Sequence, residues 1–225
     1  VNFGDVMKTI KDYAFAGGTC PNSTDPLLIH LRIKSNNQKI YTKMADIFKS
    51  YDTDMLGKEY SFENDNTNLG TVPLLELQKK IILIVERNLN HSNAFLENKQ
   101  FLEYVNLTSS SMFMRALYFN QIKDNPDITE LTEYNRRNMT IVFPDKGMNP
   151  PNPSALLCRT YGCQMVAIRY QYVDNFLIQN NMMFDRAGYA FDLKPADLRY
   201  TPVTIPDPEP QKQEYDYASR PVSSD

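Results

Sequence analysis

Three short runs of apolar residues constrain the fold of this chain more than any other feature. Leu27–Ile33, Ile81–Val85 and Met139–Phe143 are each nearly continuous in apolar residues. A strand buried on both faces has this composition, whereas a strand with one solvated face alternates between apolar and polar residues. Segments with helical spacing of apolar residues lie between these runs. The alternation predicts parallel βα units, with helices packed on the outside of a sheet.

The remaining segments follow from the same patterns. Apolar residues three or four positions apart predict helices at 3–16, 37–50, 97–105, 109–120 and 127–137. Two further strands are predicted at 164–172 and 189–193, which brings the strands to five. Residues 52–72 and 144–154 are rich in polar residues or in proline and glycine, and they predict loops.

Charge and composition exclude several functional classes. The net charge is −3 and the isoelectric point is about 5.5, so no basic surface for nucleic acid is expected. No apolar run approaches the roughly 20 residues that span a bilayer. Residues 1–5 lack the pattern of a signal peptide. The three cysteines are odd in number and have no metal-ligand spacing. We therefore expect an intracellular protein that is not secreted, with reduced cysteines and no transmembrane segment.

One motif is specific enough to indicate a family. Gly162–Gln171 reads Gly-Cys-Gln-Met-Val-Ala-Ile-Arg-Tyr-Gln, and it is followed by Gly188-Tyr189, by Leu193-Lys194-Pro195 and by Leu198-Arg199. This series resembles the closing part of the barrel of eukaryotic-type phosphatidylinositol-specific phospholipase C. The resemblance implies an α/β fold of the (β/α)8 TIM-barrel type.

The resemblance also implies an organisation of the chain. In this family a variable linker separates an X half from a Y half of the barrel. Residues 1–105 resemble the later part of the X half, 106–126 a shortened linker and 127–200 the Y half, while 201–225 form a proline-rich extended tail. Eight strands close such a barrel. We therefore predict an incomplete barrel of about five C-terminal βα units, whose open edge is covered by strands preceding Val1 or by another chain.

The family's catalytic histidines have no counterpart among the matched positions. His30 and His91 are the histidines of this chain, and neither falls at a catalytic position, so a core or rim role is expected for His30. The family strand that matches Leu28–Leu31 ends in a calcium-binding glutamate, and Arg32 stands there instead. A guanidinium offers no oxygen ligand. We predict no metal site at this position, and we expect Arg32 to pair with a carboxylate of the barrel.

The substrate-binding positions of the family are also changed. The two lysines that hold inositol phosphates correspond to Ile84 and Glu86. The serine-serine-asparagine triplet of the first Y-half loop corresponds to Pro150, Pro151 and Asn152.

A substrate-binding arginine of the family corresponds to Met183, with Arg186 three residues further on. These vestigial positions together predict that the chain supplies no catalytic residue.

Three functions remain open at this stage. The first is a non-catalytic phospholipase C-like domain that acts as a structural or interaction component of a larger assembly. It would bind protein partners through the open barrel edge and residues 201–225, and the Asn-rich sequence makes a virion of a large DNA virus a concrete setting. The alternative is a phosphoinositide phosphodiesterase whose histidines and Ca²⁺ ligands lie upstream of Val1. The third, a membrane headgroup-binding module without turnover, rests only on the basic segment Tyr134–Arg137.

Overall fold

The computed structural model describes residues 1–62, 68–87, 93–202, 204–210 and 212. His91 and most of the predicted tail lie outside these residues. Asparagine and aspartate side chains cap four of the longer helices at their first turn, at Asn2, Asn37, Asp127 and Asp174. The helices are α1 (Phe3–Tyr13), α2 (Gln38–Lys49), α3 (Lys99–Leu102), α4 (Phe119–Lys123), α5 (Ile128–Arg137), α6 (Ala155–Thr160) and α7 (Asn175–Ala187).

The strands form two three-stranded sheets in which every pairing is parallel. The first sheet has the order β1 (Leu27–Leu31), β2 (Ile81–Glu86), β3 (Leu107–Ser109). The second has the order β4 (Met114–Tyr118), β5 (Met139–Phe143), β6 (Met165–Val166). The sheets contact each other through β3 and β4. The predicted parallel βα architecture is confirmed.

The two faces of β2 show how the sheets are buried. Ile82 and Ile84 face an interior core that both sheets share, because Met114 and Ile141 of the second sheet pack in the same cluster. The alternate residues of β2 pack outward against the helices; the outer cluster includes Ile81, Leu83, Val85, Met7 of α1, Phe48 of α2 and Phe101 of α3. This arrangement, with an apolar interior and helices outside, is the wall of a βα barrel.

The predicted helix at 109–120 is wrong, because β4 occupies Met114–Tyr118 and a helix begins only at Phe119. Met114 and Leu117 match a helical spacing in the sequence. Pairing with β5 instead places Met114 in the interior core and half-buries Ala116 against it. The segment 106–126 therefore contains two strands, and its assignment as a linker stays a prediction.

Two predicted strands are also corrected. The strand predicted at 164–172 is regular only at Met165–Val166, because the Arg169 N–H donates to the side chain of Asn152 (2.6 Å) and leaves the ladder. Residues 189–193 form no strand. The Ala190 N–H donates instead to the Asp25 carboxylate (2.9 Å), and residues 190–193 line a cavity together with residues of β1 and β6.

The open side lies between β1 and β6. Every residue of β1 and of β6 is only half-buried, whereas the first five residues of the equally apolar β2 are fully buried. Within the described ranges β1 pairs only with β2, and β6 only with β5. Among the helices of those same ranges, none is both long and apolar enough to cross a bilayer.

Candidate functional site at the carboxyl ends of the strands

Arg32 and Glu86 form an ion pair where β1 and β2 end. Leu31 pairs with Val85 in the parallel register, so the next residue of each strand lies beside the other. The Arg32 guanidinium donates two hydrogen bonds to the Glu86 carboxylate, from Nη2 to Oε1 at 2.7 Å and from Nε to Oε2. This two-bond geometry is the strongest that arginine and a carboxylate adopt. The predicted pairing of Arg32 with a barrel carboxylate is confirmed.

Aromatic side chains from the second sheet surround this pair. The Arg32 guanidinium carbon lies 4.9 Å from the ring centre of Phe143, a cation–π contact that spans the two sheets. The hydrogen bonds to Glu86 raise the pKa of Arg32, to which Tyr118 also contributes. Lys146 lies over the Tyr118 ring at 4.9 Å. The carboxyl ends of β1, β2, β4 and β5 therefore meet in one place.

His30 lies at the same end of the barrel, two residues before Arg32 in the sequence. Its Nε2 shares a hydrogen bond of 3.1 Å with Ser109 Oγ at the end of β3, and its ring packs 5.4 Å from that of Phe143. Burial lowers the pKa of His30; the Glu86 charge raises it and the Arg32 charge lowers it, both by less than burial does. The ring is therefore neutral near pH 7 and supports the rim, as the sequence predicted.

The residues at this end do not fit a calcium ion. Calcium takes six to eight oxygen ligands. Glu86 is already bound by Arg32, and Ile84, one layer deeper, is fully buried among apolar side chains. Within the part of the chain that the structure describes, no group of three His, Cys, Asp or Glu side chains is placed to hold a metal.

The loop that follows β5 is tied together by Asn152, which is buried. Its side-chain NH₂ donates to the Tyr172 carbonyl (2.9 Å) and to Asp174 (3.0 Å), while its Oδ1 accepts from the Arg169 N–H. The Pro150 carbonyl accepts from the Arg169 guanidinium, and Pro151 is exposed. All of these hydrogen-bonding groups of Asn152 are directed at the protein, so its role here is to position two loops.

Met183 lies away from the other predicted site positions. It is on α7 and lines a cavity at the amino ends of the strands. Arg186 is exposed on the same helix. The structure therefore brings together Arg32, Ile84 and Glu86, but it does not bring Met183 to them.

Sequence reasoning missed three residues of this site: Ser109, Tyr118 and Phe143. Each is the last residue of its strand. Side chains in that position gather at the carboxyl end of a parallel barrel, and Phe143 could have been identified this way because the end of its strand was predicted correctly. Tyr118 and Ser109 were missed because the strands that they end were not predicted.

Parallel strands, outer helices and polar side chains collected at the strand carboxyl ends define the TIM-barrel class of proteins. Residues 81–197, just over half of the chain, match the family described as phosphatidylinositol-specific phospholipase C, Y domain. The chain belongs to this family.

A solved structure supports the same fold. The crystal structure of L. pealei PLC21 matches with a TM-score of 0.61 and 19% sequence identity, over 89% of this chain. The chain spans only 30% of that protein's length. No functionally curated protein matches the sequence.

Proposed function

We propose that this phospholipase C-like domain is non-catalytic and serves as a structural or interaction component of a larger assembly. The observation that carries the proposal is the Arg32–Glu86 pair at the carboxyl ends of the strands. This is the end of a TIM barrel where active sites are built, and here the chain's own charges neutralise each other.

The pair disfavours calcium on electrostatic grounds. A guanidinium stays charged at every physiological pH, and two unit charges 4 Å apart repel by about 4 kcal/mol at an effective dielectric of about 20. A divalent ion beside Arg32 would face twice that repulsion. It would also compete with Arg32 for Glu86, whose two oxygens both accept from the guanidinium.

Acid–base catalysis also lacks a group at this end among the described residues. A general base needs a pKa near the working pH and a free lone pair. His30 is the histidine present, and its Nε2 is engaged with Ser109 while burial lowers its pKa. The phosphodiesterase alternative therefore requires that histidines and calcium ligands be supplied from upstream of Val1.

Protein partners are proposed for the open side of the barrel and for residues 201–225. The support is the half-buried state of β1 and β6, whose sequences are as apolar as a core strand. The Asn-rich sequence makes an intracellular assembly of a large DNA virus, such as its virion, the concrete setting that we propose.

A calcium titration of the full-length protein tests the loss of catalysis. We expect no saturable heat of micromolar calcium binding, and no calcium-dependent release of inositol phosphate from phosphatidylinositol vesicles. The Arg32→Glu variant, which removes the cation, is the matched comparison. Micromolar calcium binding by the unaltered protein would overturn the proposal.

The interaction role has its own test. Backbone amides of β1 and β6 should exchange with deuterium more slowly in the isolated native assembly than in the free chain, while those of β2 should not change. Equal exchange at β1 and β6 in both states would contradict a covered edge.

A further inference from the structure

A cavity of about 640 Å³ lies at the amino ends of the strands, opposite to the Arg32–Glu86 pair. Leu27 and Leu28 at the start of β1 form one wall, and Met165 at the start of β6 forms another. Met183 of α7 and Leu193 also line it. This volume lies within the range of small-molecule sites, which are mostly apolar with a few polar groups.

The charges around this cavity are unbalanced. Its charged lining consists of one carboxylate, Asp192, and four cations, namely Arg136, Arg159, Lys194 and Arg199. The whole chain, by contrast, carries a net charge of −3. A concentration of positive charge in an apolar recess of an acidic protein favours an anionic ligand.

Three of these cations have no ion pair among the described residues, and two of the three, Lys194 and Arg159, are partly buried while Arg199 is exposed. Lys194 Nζ donates to the backbone carbonyl of Asn135 at 2.6 Å. Arg159 donates to the side chain of Asn180 at 2.8 Å and lies over Phe184. No ion pair within 4 Å involves either cation in the described part of the chain.

The cavity desolvates both of these side chains. Burial lowers the pKa of Lys194 to about 8. Burial also lowers the pKa of Arg159, against the attraction of Asp192. A partly buried cation without a counter-ion is unfavourable, and an anion bound beside it relieves that cost.

We propose that this cavity binds an aliphatic carboxylate, with its chain along the apolar walls and its carboxylate paired with Lys194 and attracted by Arg159. The apolar walls disfavour polyphosphates and other ligands that are charged along their whole length. The cavity lies between β1 and β6, the strands that flank the open side, so the ligand and a partner chain seated between these strands would exclude each other.

The test is a calorimetric titration of the full-length protein with dodecanoate, below the concentration at which it forms micelles. Dodecanol and dodecyltrimethylammonium carry the same chain with a neutral or a positive head. We expect dodecanoate to bind about ten-fold or more tightly than dodecanol, and the cation to bind least. Equal binding of dodecanoate and dodecanol, or no binding of dodecanoate, would overturn the proposal.

Three variants locate the charge that selects the ligand. Lys194→Met should weaken dodecanoate binding about ten-fold while leaving dodecanol unchanged. Arg159→Gln, which keeps a donor for Asn180, should weaken it by a smaller factor. Lys8→Met, on the exposed face of α1, is the matched lysine control and should bind as the native protein does. Undiminished dodecanoate binding by both Lys194→Met and Arg159→Gln contradicts the assignment.

Methyl NMR gives a readout that does not depend on a variant that folds. The methyl resonances of Met165 and Met183, which line the cavity, should shift on addition of dodecanoate. Met7, which packs in the outer core against the helices, should not. Saturable binding without shifts at Met165 and Met183 would place the ligand elsewhere and overturn the proposal. A structure of the full-length protein in which another polypeptide segment fills the cavity would also overturn it.

Discussion

The two ends of this barrel differ in how partly buried cations are paired. At the carboxyl ends of the strands, Arg32 is held by Glu86 and lies against Phe143. At the amino ends, Lys194 and Arg159 are desolvated and paired only with neutral groups. One barrel can therefore pair its cation with its own carboxylate at one end of the strands. At the other end its cations have no carboxylate partner and are available to a ligand.

The usual division of labour in a TIM barrel is the reverse. Carboxyl ends carry chemistry and amino ends carry stability. Here the carboxyl end holds an ion pair and a neutral histidine bonded to Ser109, and the loop after β5 is tied to Tyr172 through Asn152. The amino end has the cavity and the charges without counter-ions.

The largest effect is expected from Gly162→Ala, at the amino end. Gly162 has a positive φ of 76°, and an added Cβ would lie 3.2 Å from the Asn135 Cβ. The backbone carbonyl of Asn135 accepts the hydrogen bond from Lys194. We expect a loss of about 2 kcal/mol in the free energy of unfolding, measured by urea titration.

Gly188→Ala is the matched control for this prediction. Gly188 also has a positive φ, 68°, but nothing lies within 4 Å of its added Cβ. It should lose only about 1 kcal/mol. If both variants lose the same free energy of unfolding, the close approach of Asn135 contributes nothing to the loss in Gly162→Ala.

The next effect is expected at the carboxyl end, from breaking the ion pair. Arg32→Met leaves Glu86 without its partner, and because both side chains are partly exposed we expect a loss of about 1 kcal/mol. The double variant with Glu86→Met should recover most of it. Additive losses in this double-mutant cycle, measured by chemical denaturation, would show that the pair is not coupled.

A smaller effect is expected for the pH dependence of Lys194. Its pKa is about 8 in the folded protein against an ordinary value of 10.5, so the unfolded chain binds the extra proton between these values. The folded state should therefore gain stability from this residue as the pH rises from about 8 towards 10.5. The stability difference between the native protein and Lys194→Met, measured at pH 7.5 and 9.5, should shift in favour of the native protein.

The smallest effect is expected for His30, which has the same pH direction as Lys194 but acts in a lower pH range. Because its folded pKa is lowered, stability from the neutral ring is present above its ordinary pKa and is lost as the pH falls through it. His30→Gln keeps a partner for Ser109 without titrating. Between pH 7.5 and 5.5 the native protein should therefore lose more thermal stability than the variant; an equal loss would assign the acid sensitivity to other groups.

The sequence predicted β2 and β5 well, because a strand buried on both faces is recognised from a single run of consecutive apolar residues. The limits of β5 were predicted correctly, and β2 differs only by Glu86 at its end. β4 was missed because Met114 and Leu117 fit a helical spacing, and only pairing with β5 decides between helix and strand. Residues 189–193 have a strand-like composition, but they do not pair with β1 or β6.

The candidate sites were predictable to different degrees. The sequence indicated that Arg32 needs a carboxylate, because a guanidinium replaces an acidic residue there. It did not identify Glu86, since the partner is set by the register of β1 on β2. The cavity at the amino end could not be predicted from the sequence, because its lining comes from segments as distant in the chain as Leu27 and Lys194.

Asn152 has a consequence for the motions of the molecule. Its single amide joins the loop after β5 to the Arg169 N–H, the Tyr172 carbonyl and Asp174, which caps α7. The two loops therefore cannot open independently without breaking these bonds. Their amide protons should exchange as one cooperative unit, with one common opening free energy and one common response to denaturant.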